Sequence, residues 1–165
     1  MYYLSLTLFA ALIVAADQFT KYLAAVYLTG KTVVLIPDFL QLHFITNNGM
    51  ALSMLSGARW LFVVLAFVFL VAAVLIVVKK WMAKPFEHWC LAAIVGGAVG
   101  NLIDRIVSGE VVDMICVPWF STFNVADIFI TVPAVLLVIY ILFFDREFFK
   151  DAPEKAEEKP DDDPS

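Results

Sequence analysis

Four long apolar stretches divide the chain, at about residues 2–28, 60–78, 88–107 and 124–144. A helix needs about 20 mostly apolar residues to cross the hydrocarbon core of a bilayer. The second stretch carries no charge, whereas the other three hold charged residues towards one end. The pattern predicts an all-α integral membrane protein of four transmembrane helices. With no internal repeat or linker between the stretches, residues 1–149 are expected to form one domain.

The segment between the first two stretches has a different pattern. Residues 32–46 alternate β-branched and aromatic side chains around Pro37 and Asp38. Such a segment, centred on turn-forming residues, predicts a short β-hairpin. We expect this hairpin to form a small extracytoplasmic cradle on the membrane surface.

Composition supports a membrane protein. Hydrophobic residues make up 62% of the chain and charged residues 16%, with a mean hydropathy of +0.89. A soluble domain is closer to half apolar and a quarter charged, so this class is excluded. Residues 145–165 hold nine acids and four bases, so the net charge of −5 lies entirely in that segment. The rest is neutral and has no basic patch for nucleic acid. Residues 150–165 are predicted to be a disordered, acidic, cytoplasmic tail.

The basic residues predict the orientation in the membrane. The short connection after the second stretch contains Lys79, Lys80 and Lys84 and no acid. Because basic loops stay in the cytoplasm, this connection and both termini are expected there. The first stretch has no basic residue before Lys21, so it is predicted to be a retained helix rather than a cleaved signal peptide.

Four of the seven acids before residue 145 fall at one predicted membrane depth, near the extracytoplasmic face. They are Asp17, Asp104, Asp113 and Asp127. A charge at the centre of a membrane helix costs about 2.5–3.5 kcal/mol and is retained mainly for function or pairing. This convergence is the strongest functional signal that the residues give by themselves.

Each of these acids also has a simpler interpretation. Asp17 could form an ion pair with Lys21 one helical turn away. Asp104 could extend with Arg105 to the membrane interface, and Asp127 could interact with a helix dipole. Glycines at 96, 97 and 100 indicate close helix packing rather than phosphate binding.

The available side chains limit the chemistry. The two histidines, His43 and His88, are predicted at opposite ends of the bundle, and neither has a nucleophile motif. Cys90 and Cys116 are expected at opposite ends too, too far apart for a disulfide. Two carboxylates that share a proton can act as general base and general acid. Asp113 and Asp127 would suffice for this aspartyl peptidase chemistry.

Two alternatives use the same carboxylates. One is a Mg²⁺ or Mn²⁺ site, because both ions prefer oxygen ligands. The other is a small proton-coupled transporter with Asp17 and Asp127 as relays. Four spans without a repeat make the transporter the weaker alternative.

Five separated motifs resemble those of the bacterial lipoprotein signal peptidases (signal peptidase II). They are ADQFTK at 16–21, NNGMALS at 47–53, GGAVGNLIDR at 96–105, GEVVD at 109–113 and FNVAD at 123–127. They occur in the order of that family and are spread over nearly all of residues 14–130. Met50 and Leu52 depart from the usual Ala and Phe of the second motif. Thirteen residues separate Asp113 from Asp127, which is short for the family.

The resemblance implies an aspartyl endopeptidase of the bacterial inner membrane with no cofactor. Its substrates would be prolipoproteins, cut just before a diacylglyceryl-modified cysteine, and its other partners membrane lipids. It implies Asp113 and Asp127 as the catalytic pair, with Asp104 left open as the partner of Asp127. Substrate-binding or supporting roles are implied for Asp17, Lys21, Asn47, Gly49, Asn101, Asp104, Arg105, Asn124 and Ala126. No metal ligand is implied, and the enzyme is expected to be a monomer.

Overall fold

The computed structural model describes residues 1–48, 59–82 and 84–144. The helices are α1 (Tyr2–Tyr27), α2 (Arg59–Val78), α3 (Pro85–Val107) and α4 (Val125–Phe143). The strands are β1 (Thr32–Ile36), β2 (Leu40–Asn47), β3 (Val111–Val117) and β4 (Ser121–Phe123). Within the described ranges, four helices are long and apolar enough to cross a membrane, which confirms the predicted spans.

Helix α3 is the centre of the bundle. It packs against each of the other three helices, and 56% of its most apolar window is buried. The corresponding share is 11% for each of α1, α2 and α4, so these present most of their surface to lipid. α3 begins earlier than the sequence predicted, at Pro85 instead of residue 88, because proline is well suited to a first helical position.

Glycines of α3 let its neighbours approach closely, as the sequence predicted. A Cβ on Gly96 would lie 2.9 Å from the backbone oxygen of Ala10 in α1. A Cβ on Gly97 would lie 2.5 Å from the backbone oxygen of Ala126 in α4. Since small residues allow helix backbones to pack tightly in lipid, these glycines fix α1 and α4 against α3.

The two ends of the bundle differ in character. At the end near residues 79–84 lies an apolar core of Ala73, Met82, Cys90, Leu91, Ile94 and Leu137. At the opposite end, buried charged and amide side chains replace the apolar core. Cys90 and Cys116 are both free, as predicted, and Cys90 fills part of the apolar core.

The sheet is larger than the hairpin that the sequence predicted. β1 and β2 form that hairpin, but β3 and β4 extend it to a four-stranded antiparallel sheet in the order β1-β2-β3-β4. The all-α description therefore covers only the membrane-spanning part. The additional pairing was missed because β3 and β4 follow α3, far in sequence from the first hairpin. The short connection between Asp113 and Asp127 is largely this second hairpin.

Two predictions fall outside the described residues. Gly49 and most of its motif lie in 49–58. The predicted acidic tail lies in 145–165.

Candidate active site at the sheet end of the bundle

Asp113 and Asp127 come from different elements that meet at the sheet end of the bundle. Asp113 lies in β3, where Ile45 of β2 is its pairing partner, and is 3% exposed. Asp127 lies in the first turn of α4 and is half-buried. Asp113 thus provides a buried carboxyl group and Asp127 a more accessible one.

Two asparagine amides connect the carboxylates. Asn124 Nδ2 donates to Asp113 Oδ1 at 2.8 Å and to Asn101 Oδ1 at 3.1 Å. Asn101 Nδ2 in turn donates to Asp127 Oδ1 at 2.7 Å. Asn124 is fully buried and Asn101 is 6% exposed, so water does not compete for these bonds. The amides hold one oxygen of each carboxylate in a defined direction.

The start of α4 positions Asp127 through a capping box. Asn124 precedes the helix, and its Oδ1 accepts from the backbone N of Asp127 at 2.9 Å. Asp127 Oδ2 accepts from the backbone N of Asn124 at 3.2 Å. These reciprocal bonds satisfy two backbone groups that a helix terminus leaves unpaired. Asp127 does lie in the first turn of a helix, as its simpler interpretation required, but it is also a partner in this capping box.

Strand pairing brings Asn47 to Asp113. Asn47 ends β2 and its Nδ2 donates to Asp113 Oδ2 at 3.0 Å. Burial raises the pKa of the Asp113 carboxyl above its ordinary value, and the charge of Asp127 acts in the same direction. Hydrogen bonds from Asn47 and Asn124, and the charge of Lys21, act to lower that pKa. Asp113 is therefore suited to hold a proton at a pH where an exposed aspartate has lost it.

A buried ion cluster lies beneath the amides. Lys21 Nζ is 2.8 Å from Asp17 Oδ2 and 2.7 Å from Asp104 Oδ2, and it donates to Asn101 Oδ1 at 2.9 Å. Asp17 is fully buried and Lys21 is 4% exposed. Asp17 does form the ion pair with Lys21, but this pair faces the bundle interior and helps to orient Asn101.

Asp17 also fixes the start of α4. Its Oδ1 accepts from the backbone N of Ala126 at 2.9 Å, a contact that joins residues 109 positions apart. Ala126 is fully buried, with its backbone oxygen against Gly97. Ala126 thus holds its place by close packing and by its backbone N–H.

Asp104 is occupied by other partners. Besides the ion pair with Lys21, it accepts from Gln18 Nε2 at 2.9 Å and from the backbone N of Val112 at 3.3 Å. The last contact ties α3 to β3 beside Asp113. These contacts leave Asp104 in a supporting position, and they do not favour it as the partner of Asp127.

Arg105 lies at the edge of the network. Its Nη1 donates to the backbone oxygen of Asn101 at 3.3 Å, and its guanidinium lies 5.1 Å from the centre of the Phe62 ring. It is also close enough to Asp127, Asp104 and Asp113 to interact with their charges. A guanidinium carries five donors in a planar fork, which suits contact with a carbonyl or ester oxygen of a ligand.

Two members of this network, Gln18 and Gly100, were not predicted as site residues from the sequence. Gln18 Nε2 also donates to the backbone oxygen of Gly100 at 3.1 Å. A Cβ on Gly100 would lie 2.6 Å from Asp17 Oδ2, so this glycine makes room for the buried carboxylate. The signal for Gln18 was its polarity inside an apolar span. The role of Gly100 could not be separated from helix packing, because it depends on the position of α1.

No group of three or more His, Cys, Asp and Glu side chains suited to a metal ion occurs within 1–48, 59–82 and 84–144. The described cluster instead combines carboxylates with amides and one lysine. Such a set can hold water and transfer protons.

Comparisons with known proteins agree on one family. The family model described as signal peptidase (SPase) II matches residues 9–143. A lipoprotein signal peptidase of Brevibacillus brevis is 38% identical over 135 residues, which covers 80% of this chain and 91% of that protein. One from Symbiobacterium thermophilum is 38% identical over 144 residues, which covers 84% and 94%.

Solved structures show the same likeness. Two chains described as bacterial membrane enzymes superpose with TM-scores of 0.76 and 0.77, at 33% and 35% sequence identity. The matches cover 94% and 86% of this chain, and 93% and 94% of the other chains.

Proposed function

The chain belongs to the signal peptidase II family, and we propose that Asp113 and Asp127 are the catalytic pair with which it removes signal peptides from prolipoproteins. The observation that carries this assignment is the amide bridge through Asn124 and Asn101, which directs both carboxylates into one network. The transporter and metal-enzyme alternatives find no support among the relatives.

The two carboxylates take different parts in the proposed reaction. Asp113, whose pKa is raised by burial, is the general acid, and Asp127 is the general base. Asp127 removes a proton from a water molecule as that water attacks the scissile carbonyl carbon. Asp113 then donates its proton to the leaving amine as the C–N bond breaks. One water is consumed, and the proton now on Asp127 returns to Asp113 before the next cycle.

The remaining polar residues hold this pair in place. Asn101 and Asn124 orient the carboxylates, and the cluster of Asp17, Lys21 and Asp104 orients Asn101 and the start of α4. Asn47 supports Asp113, and Arg105 is available for a peptide carbonyl or a lipid ester oxygen of the substrate. Gly49 belongs to the same motif as Asn47. Its role in binding or supporting the substrate is proposed from the family resemblance alone.

The enzyme is a multi-span membrane protein, and its orientation is part of the proposal. Lys79, Lys80 and Lys84 support a cytoplasmic position for the connection between α2 and α3. Both termini and the acidic tail would then be cytoplasmic, with the sheet and the active site near the extracytoplasmic face of the inner membrane. Since one chain supplies both carboxylates, a monomer suffices. Cleavage just before a diacylglyceryl-modified cysteine is proposed from the family resemblance.

The assignment is tested by replacing each carboxylate with its isosteric amide. Asp113→Asn and Asp127→Asn should each lower the rate by at least about 10²–10⁴-fold, because each removes one proton-transfer step. The measurement is the gel shift that follows release of the signal peptide from a diacylglyceryl-modified prolipoprotein in micelles.

Asp38→Asn is the matched control for these variants. Asp38 is exposed in the β1–β2 turn at φ +56°, a conformation that asparagine tolerates. This variant should cleave like the parent. Cleavage near the parent rate by either of the other two would disprove the assignment, and loss of activity in EDTA with recovery in Mg²⁺ would favour a metal enzyme.

A further inference from the structure

An apolar groove lies at the end of the bundle away from the candidate active site. α1 and α2 both pack on α3 but make little contact with each other, so a space of about 370 Å³ remains between them. This volume is at the lower end of the range for small-ligand pockets, about 300–1,000 Å³. Its walls include Leu6 and Ala10 of α1 and Val74 and Val77 of α2, and α3 forms the floor with Leu91 and Val95.

The groove is shorter than half the thickness of a bilayer's hydrocarbon core. Its lining residues on α2 run from Leu70 to Val78, which corresponds to about 12 Å at the helical rise of 1.5 Å per residue. The hydrocarbon core is about 30 Å thick, so the groove ends before the bilayer midplane. A transmembrane helix of another protein would extend well beyond it, whereas a lipid acyl chain fits this depth.

Basic residues lie directly after the groove-lining part of α2, at the end of the bundle away from the candidate active site. Lys79 and Lys80 come immediately after Val78, and Lys84 immediately precedes α3. The described acid nearest in sequence, Glu87, is 1% exposed, and its Oε2 accepts from the backbone N of Lys84. Exposed Lys79 and Lys80 therefore present positive charge at the level of the lipid head groups.

A polar pair lies at this end of the groove. Tyr2 Oη lies 3.1 Å from His88 Nδ1, and His88 Nε2 lies 3.1 Å from the backbone oxygen of Met82. Because a carbonyl can only accept, Nε2 donates in the second bond. These bonds join the start of α1 to α3 and mark where the apolar lining gives way to polar groups.

We propose that this groove binds an acyl chain of an anionic phospholipid, whose phosphate interacts with Lys79 and Lys80. Basic clusters at the ends of membrane helices bind anionic head groups, and here such a cluster adjoins an apolar groove of one-leaflet depth. The site is distinct from the proposed catalytic pair and does not depend on its chemistry. If the orientation proposed above is right, the lipid belongs to the cytoplasmic leaflet.

The head-group contact is tested by native mass spectrometry of the purified full chain with phosphatidylglycerol or phosphatidylcholine. The parent should retain phosphatidylglycerol preferentially. The double variant Lys79→Gln/Lys80→Gln should bind it about 25-fold more weakly, at about fivefold for each lysine. Binding of phosphatidylcholine should not change. Lys31→Gln, which removes an exposed lysine at the sheet end, is the matched control and should behave like the parent.

The acyl-chain contact has its own pair of variants. Ala92→Leu places a larger side chain into the groove and should reduce retained phosphatidylglycerol. Ala72→Leu makes the same change on the exposed face of α2 and should not. Equal retention of both lipids by the parent, or full retention by the lysine double variant, would overturn the proposal. Competition by glycerol phosphate alone, which has no acyl chain, would overturn the role of the groove. If thermal unfolding shows that Ala92→Leu does not fold, the lysine double variant and its control test the proposal by themselves.

Discussion

A single amide, that of Asn124, links helix capping to the candidate chemistry. Its Oδ1 accepts from the backbone of Asp127, while its Nδ2 donates to Asp113 and to Asn101. The same side chain thus starts α4 and orients the carboxylate of β3. Because both donor hydrogens and the oxygen are used, no similar side chain can replace it without leaving a buried group unpaired.

The raised pKa of Asp113 predicts the pH dependence of cleavage. The proposed acid must be protonated, so kcat/KM should fall as pH rises through the pKa of the pair. Asn47→Ala removes a hydrogen bond that lowers the pKa of Asp113, so the basic limb should move to higher pH. The pH profile of kcat/KM measures this shift.

Thr46→Ala is the control for the pH profile. Thr46 is the exposed neighbour of Asn47 in β2, and its removal should leave the basic limb in place. A basic limb that stays in place or moves to lower pH in Asn47→Ala would contradict the role of Asp113 as the acid.

We predict that position 100 requires glycine because the buried carboxylate of Asp17 leaves no room for a Cβ. Gly100→Ala should lower the free energy of unfolding by about 1–3 kcal/mol, since the new methyl group overlaps Asp17 Oδ2. In an Asp17→Ala background the same change should be neutral, or stabilising by about 0.5–1 kcal/mol, because alanine is the better helix former. Unfolding in mixed micelles measures this double-mutant cycle. Equal losses in both backgrounds would show that Gly100 serves helix packing only.

At the scale of elements, the site depends on how α3 packs against α4. Gly97 lies against the backbone of Ala126, and Ala126 is next to Asp127. The packing of the two helices therefore sets the position of a candidate catalytic carboxylate. The predicted spans identified both helices but not this contact, because a glycine pattern shows that helices approach closely without showing which helix approaches.

Gly97→Ala should therefore lower the rate of cleavage by more than the accompanying loss of folding stability explains. The added Cβ would lie 2.5 Å from Ala126 O and 2.8 Å from Ile130 Cγ1, so α4 must move away from α3. We expect a loss of at least about 10²-fold in kcat, as is typical for a displacement of about 1 Å of a catalytic group.

Gly30→Ala provides the comparison for this change. No atom lies within 4 Å of its added Cβ, but its φ of +70° makes alanine unfavourable by about 1–2 kcal/mol. It should lower stability while leaving kcat near that of the parent. Similar kcat values for the two variants would contradict a positioning role for Gly97.

For the whole molecule, the basic loop predicts which side of the membrane each end faces. In a Cys90→Ala/Cys116→Ala background, a membrane-impermeant maleimide should label Lys31→Cys in intact cells. It should label Lys80→Cys only after the membrane is opened, because basic loops remain cytoplasmic. Thiol labelling on gels measures both, and the unsubstituted background is the control. The reverse labelling pattern would invert the proposed orientation.

The sequence alone predicted the four apolar helices that the described residues form, and it indicated which acids belong together near one end of the bundle. Both follow from local composition, since burial of apolar side chains in lipid and the cost of a charge there depend on each segment by itself. It also indicated the first hairpin, through its alternating pattern.

Only the tertiary structure decided which polar groups meet. The pairing of β2 with β3 brings Asn47 to Asp113, and the packing of α1 on α3 brings Lys21 to Asp104. These partners lie 66 and 83 positions apart, so no local pattern records their contacts. The donors around a carboxylate decide whether it supports its neighbours, like Asp104, or is a candidate for catalysis, like Asp113. Those donors are brought into place only when the chain folds.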